Sequence, residues 1–139
     1  MDTVNVAIAG ATGAVGEVMR EILEEREFPV DKLSLLASER SAGTRLQYAG
    51  SSIEVEDLDQ FDFSDTQVAL FSAGGSVSAK YAPKAASQGC VVIDNTSYFR
   101  RDDNIPLIVP EVNGHRIDDY KNTNIIANPN CSTIQMLVA

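Results

Sequence analysis

The stretch Asn128-Pro129-Asn130-Cys131-Ser132-Thr133 sets a cysteine between an apolar run, Asn124 to Ala127, and the start of a helical pattern, Ile134 to Val138. A thiol at a helix N-terminus sits at the positive end of the helix dipole, which favours the thiolate and makes a nucleophile available near neutral pH. Cys90 is the contrast: inside the apolar run Cys90 to Ile93 it reads as a small buried hydrophobe. On residue types alone, Cys131 is either a nucleophile or a bystander. A second polar cluster, Asp94 to Asp102, follows that run directly. In it Arg100 could grip a phosphate or carboxylate through two N–H groups, with Asn95 as a neutral donor. The competing reading is a solvated loop whose arginines pair with Asp102 and Asp103. The single histidine, His115 in Gly114-His115-Arg116, reads as a surface residue.

A third chemical signal is the glycine spacing G-x-x-G-x-x-G over Gly10, Ala11, Thr12, Gly13, Ala14, Val15 and Gly16. Such a turn lets the backbone approach a pyrophosphate, while the first N–H groups of the following helix attract it without a side-chain cation. A purely structural tight turn is the alternative, and a P-loop is excluded because no G-K-[ST] follows. Dinucleotide choice is read at the end of the second strand, where Ser38-Glu39-Arg40-Ser41 stands. Arg40 and the two serines suit the 2′-phosphate of NADP, whereas Glu39 turned inward would favour NAD. Ser72-Ala73-Gly74 ends another apolar run and leaves room for a flat ring or a phosphate; an ordinary strand-to-helix loop is the plainer reading.

These groups need elements to position them. Val4 to Ala9 reads as a buried parallel strand, and Val15, Val18, Met19, Ile22 and Leu23 form the apolar stripe of a helix that Phe28-Pro29 ends. Leu33 to Ala37 completes a βαβ unit. Further strands are expected at Ser52 to Glu56, Val68 to Phe71, Cys90 to Ile93, Leu107 to Val109 and Asn124 to Ala127. A helix is expected over Ser76 to Gln88, with Pro83 starting a second piece because proline belongs in a first turn. The pattern is an open, mostly parallel α/β sheet.

Composition sets outer bounds. With 139 residues, 44% of them hydrophobic, the chain can bury a core without disulfides. Twenty acidic residues against 11 Lys plus Arg give a net charge of −9, which argues against a nucleic-acid partner. The two cysteines and one histidine lack metal-ligand spacing, so no metal is expected. No apolar run approaches the ~18 residues of a membrane span, and the first residues lack a signal peptide's basic flank, so a soluble cytoplasmic protein is expected.

Taken together the motifs resemble the N-terminal half of the aspartate-semialdehyde dehydrogenase family. The resemblance rests on GATGAVG (Gly10 to Gly16), SERSAG (Ser38 to Gly43), FSAGGSVS (Phe71 to Ser78), DNTSYFR (Asp94 to Arg100), VPEVN (Val109 to Asn113) and NPNCST (Asn128 to Thr133), in order along the whole chain. N-acetyl-gamma-glutamyl-phosphate reductase shares the glycine turn and the cysteine, but typically writes a glycine and an aromatic where Asn130 and Ser132 stand here. The resemblance implies a Rossmann-like, doubly wound α/β fold. It also implies NADPH-dependent reductive dephosphorylation of L-aspartyl-4-phosphate to aspartate semialdehyde, on the route to lysine, threonine and methionine. By similarity Cys131 attacks the acyl phosphate, Arg100, Asn130 and Asn95 serve the phosphate, and the thioester accepts hydride. Gly10, Thr12, Gly13, Ala14, Val15 and Gly16 would hold the pyrophosphate, Ser38, Arg40 and Ser41 the 2′-phosphate, and Ser72, Ala73 and Gly74 the rest of the cofactor.

Family members are much longer and form homodimers. After the cysteine they carry a glutamine, a substrate-binding arginine and an acid/base histidine that have no counterpart among these residues. The expectation is therefore a cofactor domain over residues 1–127, the start of a catalytic domain over 128–139, and little turnover by the 139 residues alone. A dinucleotide-binding module without catalysis, or a reductase of another acyl phosphate, remains the alternative.

Overall fold

The computed structural model describes residues 2–139. Six strands form one parallel sheet: β1 (Val4–Ala9), β2 (Val30–Ala37), β5 (Glu56–Asp57), β6 (Val68–Phe71), β7 (Val91–Asp94) and β8 (Ile125–Ala127). Their order across the sheet is β5-β2-β1-β6-β7-β8. Numbered in chain order within this sheet alone, that is 3-2-1-4-5-6, the order of the Rossmann-like doubly wound fold. The chain leaves β1 for β2 on one side and returns to β6 on the other, so a crevice opens beside the carboxyl end of β1.

Strand β1 shows why the sheet is covered on both faces. Val6 and Ile8 enter one core cluster with Leu35, Ala37 and Val55, while Ala7 and Ala9 enter another with Phe63, Phe71, Ala82 and Val92. Alternate residues must point to opposite faces, and here both sets are buried. Helix α2 (Gly75–Ser87) buries Ser78, Ala82 and Ala85 against the second cluster. Helix α1 (Ala14–Glu25) and a separate antiparallel hairpin, β3 (Arg45–Tyr48) with β4 (Ser51–Glu54), cover the first. Arg20 Nη1 ties α1 to the hairpin by donating to the Gln47 carbonyl at 2.9 Å.

Four expectations change. The stripe on α1 is only half used: Met19 and Leu23 pack, but Val15, Val18 and Ile22 stay 46%, 49% and 41% exposed. Helix α2 runs through Pro83 without a break, because packing on both sides of the proline outweighs the one hydrogen bond it removes. The segment 52–56 divides: β4 stays in the hairpin, Val55 is buried as a corner, and Glu56–Asp57 joins the main sheet as β5. Leu107 to Val109 makes only an isolated bridge, Leu107 to Ala127, since Pro106 has no N–H to give and Pro110 opens the short helix α3 (Pro110–Asn113). The last helix, α4, spans Cys131–Val138. No helix among the described residues is long and apolar enough to cross a membrane.

The turn from β1 into α1 depends on two close approaches. A Cβ on Gly16 would overlap the Gly10 carbonyl oxygen and stand 2.9 Å from the Ala11 Cα. Gly10 has φ +90°, and its Cβ would lie 2.9 Å from the Ser72 carbonyl. Gly16→Ala should therefore cost about 3 kcal/mol of stability, the upper end for overpacking. Gly13→Ala, whose Cβ would find the Gly10 oxygen at an ordinary 3.5 Å, should cost no more than about 1 kcal/mol. Equal urea midpoints for the two variants would refute this packing role.

Candidate active site

Four loops leave the sheet at its carboxyl edge, and each begins with the same kind of hydrogen bond. The Gly10 N–H donates to the Leu36 carbonyl at 3.0 Å, Ser72 N–H to Ala9 at 2.9 Å, Asn95 N–H to Phe71 at 2.8 Å and Asn128 N–H to Asp94 at 2.8 Å. Each loop is thus tied to the end of the neighbouring strand. All the polar groups singled out from the sequence, apart from His115, lie on or beside these loops and the end of β2.

On one side of β1 the edge holds a cleft of about 960 Å³. Its floor is Gly10, Thr12 and Gly13; one wall carries Ser38 and Glu39, another Ser72 and Ala73. Gly13 caps α1 with no side-chain hydrogen bond. The amides of Ala14, Val15 and Gly16 therefore precede the first i→i−4 bond, from Glu17 N–H to the Gly13 carbonyl at 3.0 Å. That is the donor arrangement an anion at a helix N-terminus needs. Ala14, Val15, Gly16, Arg40, Ser41 and Gly74 stand outside the cleft wall; Gly16 is buried beneath the turn, and Gly74, at φ +97°, caps α2. Arg40 lies exposed in the 3-10 turn Glu39–Ser41.

On the other side, β7 and β8 lie in register with Asp94 opposite Ala127, which sets the loop after each strand beside the other. Asn128 Nδ2 donates to Asn95 Oδ1 at 2.6 Å. Arg100 Nε donates to the Asn128 carbonyl at 2.9 Å, and its Nη2 to the Asn95 carbonyl at 3.3 Å. Arg100 thus faces the cysteine loop and makes no ion pair among the described residues, against the solvated-loop reading. Asn130 caps α4: its Oδ1 accepts from Ser132 N–H at 2.9 Å and Thr133 N–H at 3.4 Å. Cys131 is the first residue of α4, and it is exposed.

A model of the semialdehyde dehydrogenase NAD binding domain matches residues 5–120. The chain belongs to this family. It is 64% identical over 135 residues to aspartate-semialdehyde dehydrogenase 2 of Vibrio cholerae, covering 97% of this chain and 40% of that protein. The aspartate-semialdehyde dehydrogenase of Shewanella violacea is 62% identical over the same shares. Among solved structures, that of aspartate semialdehyde dehydrogenase II from Vibrio cholerae complexed with ASA superposes with a TM-score of 0.96 at 62% identity, over 98% of this chain and 44% of that one. The chain therefore spans about 40% of the length of these curated relatives.

Within this semialdehyde dehydrogenase domain, two sets of residues escaped the sequence reading. The first completes the cleft: Leu58, Val77 and Tyr81 supply apolar and aromatic wall, while Asp59 bonds the Tyr81 hydroxyl at 2.6 Å and pairs with Lys80 at 3.6 Å. The Tyr81 hydrogen bond, then the Lys80 charge, holds the Asp59 carboxyl below its usual range. The short segment 56–60 carried no pattern long enough to be read as a wall. The second set is structural. Asp94 is fully buried and accepts from the Ser78 hydroxyl at 2.7 Å, from the Thr96 N–H at 3.1 Å and from the Thr96 hydroxyl at 2.8 Å, pinning the Asn95 to Arg100 loop to α2 and β7. His115 is exposed in the 3-10 stretch Gly114–Asn122.

The two thiols should separate cleanly. Burial pushes the Cys90 thiol up to about 12, while Cys131 is open to solvent. Iodoacetamide at neutral pH should label Cys131 and spare Cys90 until the protein unfolds, as peptide mass mapping will show. Labelling of both at one slow rate would remove the case for a reactive Cys131.

Proposed function

We propose that this chain is the cofactor-binding and nucleophile-bearing part of an NADPH-dependent reductase that converts L-aspartyl-4-phosphate to aspartate semialdehyde and phosphate. The observation that carries the reading is the hydrogen-bonded union of Arg100, Asn95 and Asn128 beside an exposed cysteine at a helix start. The likeness to named aspartate-semialdehyde dehydrogenases supports the substrate, and one such relative is described in complex with ASA. Residues 1–127 would be the cofactor domain and 128–139 the first part of the catalytic one. The proposal extends to a cytoplasmic homodimer of the full-length protein.

The residues present fit a dinucleotide. The glycine turn and the free amides at the start of α1 suit a pyrophosphate, and the Leu58, Val77 and Tyr81 lining suits a flat ring. Gly10, Thr12, Gly13, Ala14, Val15 and Gly16 would hold the pyrophosphate, Ser38, Arg40 and Ser41 the 2′-phosphate, and Ser72, Ala73 and Gly74 the remainder. When bound, the cofactor supplies the hydride that reduces the acyl group.

The chain's own residues account for the covalent half of the reaction. Cys131 thiolate attacks the acyl carbon, a C–S bond forms, the C–O bond to phosphate breaks, and inorganic phosphate leaves with the bonding electron pair. Arg100 and Asn95 would steady the developing phosphate charge, and Asn130, by capping α4, would hold Cys131 at the helix start. Hydride delivered to the thioester carbon, with the C–S bond breaking and its electron pair going to sulfur, would then release the aldehyde and return the Cys131 thiolate without any proton being taken up.

One feature of the cleft favours a second cofactor: Glu39 lies in the wall while Arg40 stands outside it, an arrangement that would suit NAD. Titration of the full-length protein should show NADP bound at least tenfold tighter than NAD, and Arg40→Ala should remove about 1.5–3 kcal/mol of that preference. Equal affinities would refute NADP selectivity. In steady-state assays with aspartate semialdehyde, phosphate and NADP, Cys131→Ser should abolish turnover; retained turnover would place the chemistry elsewhere.

A further inference from the structure

We propose that Asn128 is a positioning residue that sets the polarity of the phosphate subsite. Its side-chain amide turns the NH₂ group of Asn95 toward the incoming anion, and its main-chain carbonyl orients Arg100. The inference rests on the reading above that Asn95 and Arg100 receive phosphate.

The argument is one of hydrogen-bond supply. A primary amide offers one acceptor oxygen and one NH₂ donor group. The oxygen of Asn95 is taken by Asn128 Nδ2 at 2.6 Å, and its NH₂ bonds no other group among the described residues. With its oxygen turned to Asn128, the end of the amide that Asn95 has free is its NH₂ donor, and phosphate oxygens need donors. Reversed, the same amide would aim its carbonyl at the anion and repel it.

Arg100 is set by the same neighbour. Its Nε and Nη2 each give an N–H to a main-chain carbonyl, those of Asn128 and Asn95. These bonds use two of the five N–H groups a guanidinium carries and leave Nη1 whole for a ligand. Asn128 is in turn fixed by its own N–H to Asp94, whose carboxylate is buried and fully engaged. The residue three before the nucleophile thereby carries the orientation of both donors. A substitution that keeps the main chain, Asn128→Ala, would free Asn95 and leave the Arg100 bond in place, so its effect must travel through Asn95.

The test uses the full-length protein and inorganic phosphate, reading the phosphate concentration that half-protects Cys131 from iodoacetamide. Asn95→Ala should raise that concentration about tenfold, the loss expected for one hydrogen bond to a charged group. Asn128→Ala should raise it about threefold alone and add nothing in the Asn95→Ala background. Asn128→Asp, which can only accept, should turn the Asn95 carbonyl to the site and weaken phosphate at least as much as Asn95→Ala does. Dinucleotide affinity, read in the separate cleft, should stay unchanged in every variant.

Equal effects of Asn128→Ala with and without Asn95 would overturn the proposal, as would wild-type phosphate binding by Asn128→Asp. A variant that lost both ligands would mark Asn128 as a folding residue and overturn it too. If Asn95→Ala itself left phosphate protection unchanged, the phosphate subsite would fall, and this inference with it.

Discussion

Strand β1 has no solvent face, and the rest of the molecule is arranged around that burial. Val6 and Ile8 on one side and Ala7 and Ala9 on the other each need a layer of cover, so the chain must lay a helix and a hairpin on one face and α2 on the other. Parallel strands with covered faces leave one place for polar chemistry, the edge where the strands end. The sheet reverses direction of winding at β1, which opens the crevice there. The candidate catalytic and cofactor-binding groups are thus displaced to one rim by the same packing that stabilises the fold.

On the proposed reading that rim would receive anions, in an acidic protein of net charge −9. What the edge offers an anion is mainly N–H groups: main-chain amides at the start of α1 and the amide side chain of Asn95, with the Arg100 guanidinium held beside the cysteine loop. Such donors carry no net charge and act on an anion through aligned N–H dipoles at hydrogen-bond range.

Most of the fold was legible because its strands are continuous apolar runs and its glycine turn has fixed spacing. Gly10 and Gly16 stood out for their place in a pyrophosphate-type turn, while the close fit between α1 and the turn that Gly16 also serves, its missing Cβ lying over the Gly10 carbonyl, left no trace in the spacing. The hairpin was half missed because its turn, Ala49-Gly50, takes positive φ at both residues without the asparagine or aspartate that usually marks it. Pro83 misled because a local rule was applied where tertiary packing decides. At the site, Cys131, Arg100 and Asn95 were identifiable by residue type. Asn128 and Asp94 stood in quoted motifs but drew no role, because a bond between two loops thirty-odd residues apart leaves no trace in spacing.

The hydrogen bonds that begin the four loops act as a ruler. Gly10 leaves β1 and Asn128 leaves β8, with β6 and β7 between them, so three inter-strand steps separate the two turns. At about 4.8 Å per step, the cofactor turn and the cysteine turn are held roughly 14 Å apart across the sheet. Side-chain replacements in either loop can alter grip or charge but cannot change that interval, which is counted in whole strands. Only gain or loss of a strand would reset it, so variation in what the site accepts is confined to the loops, and the reach between its two halves is inherited with the sheet.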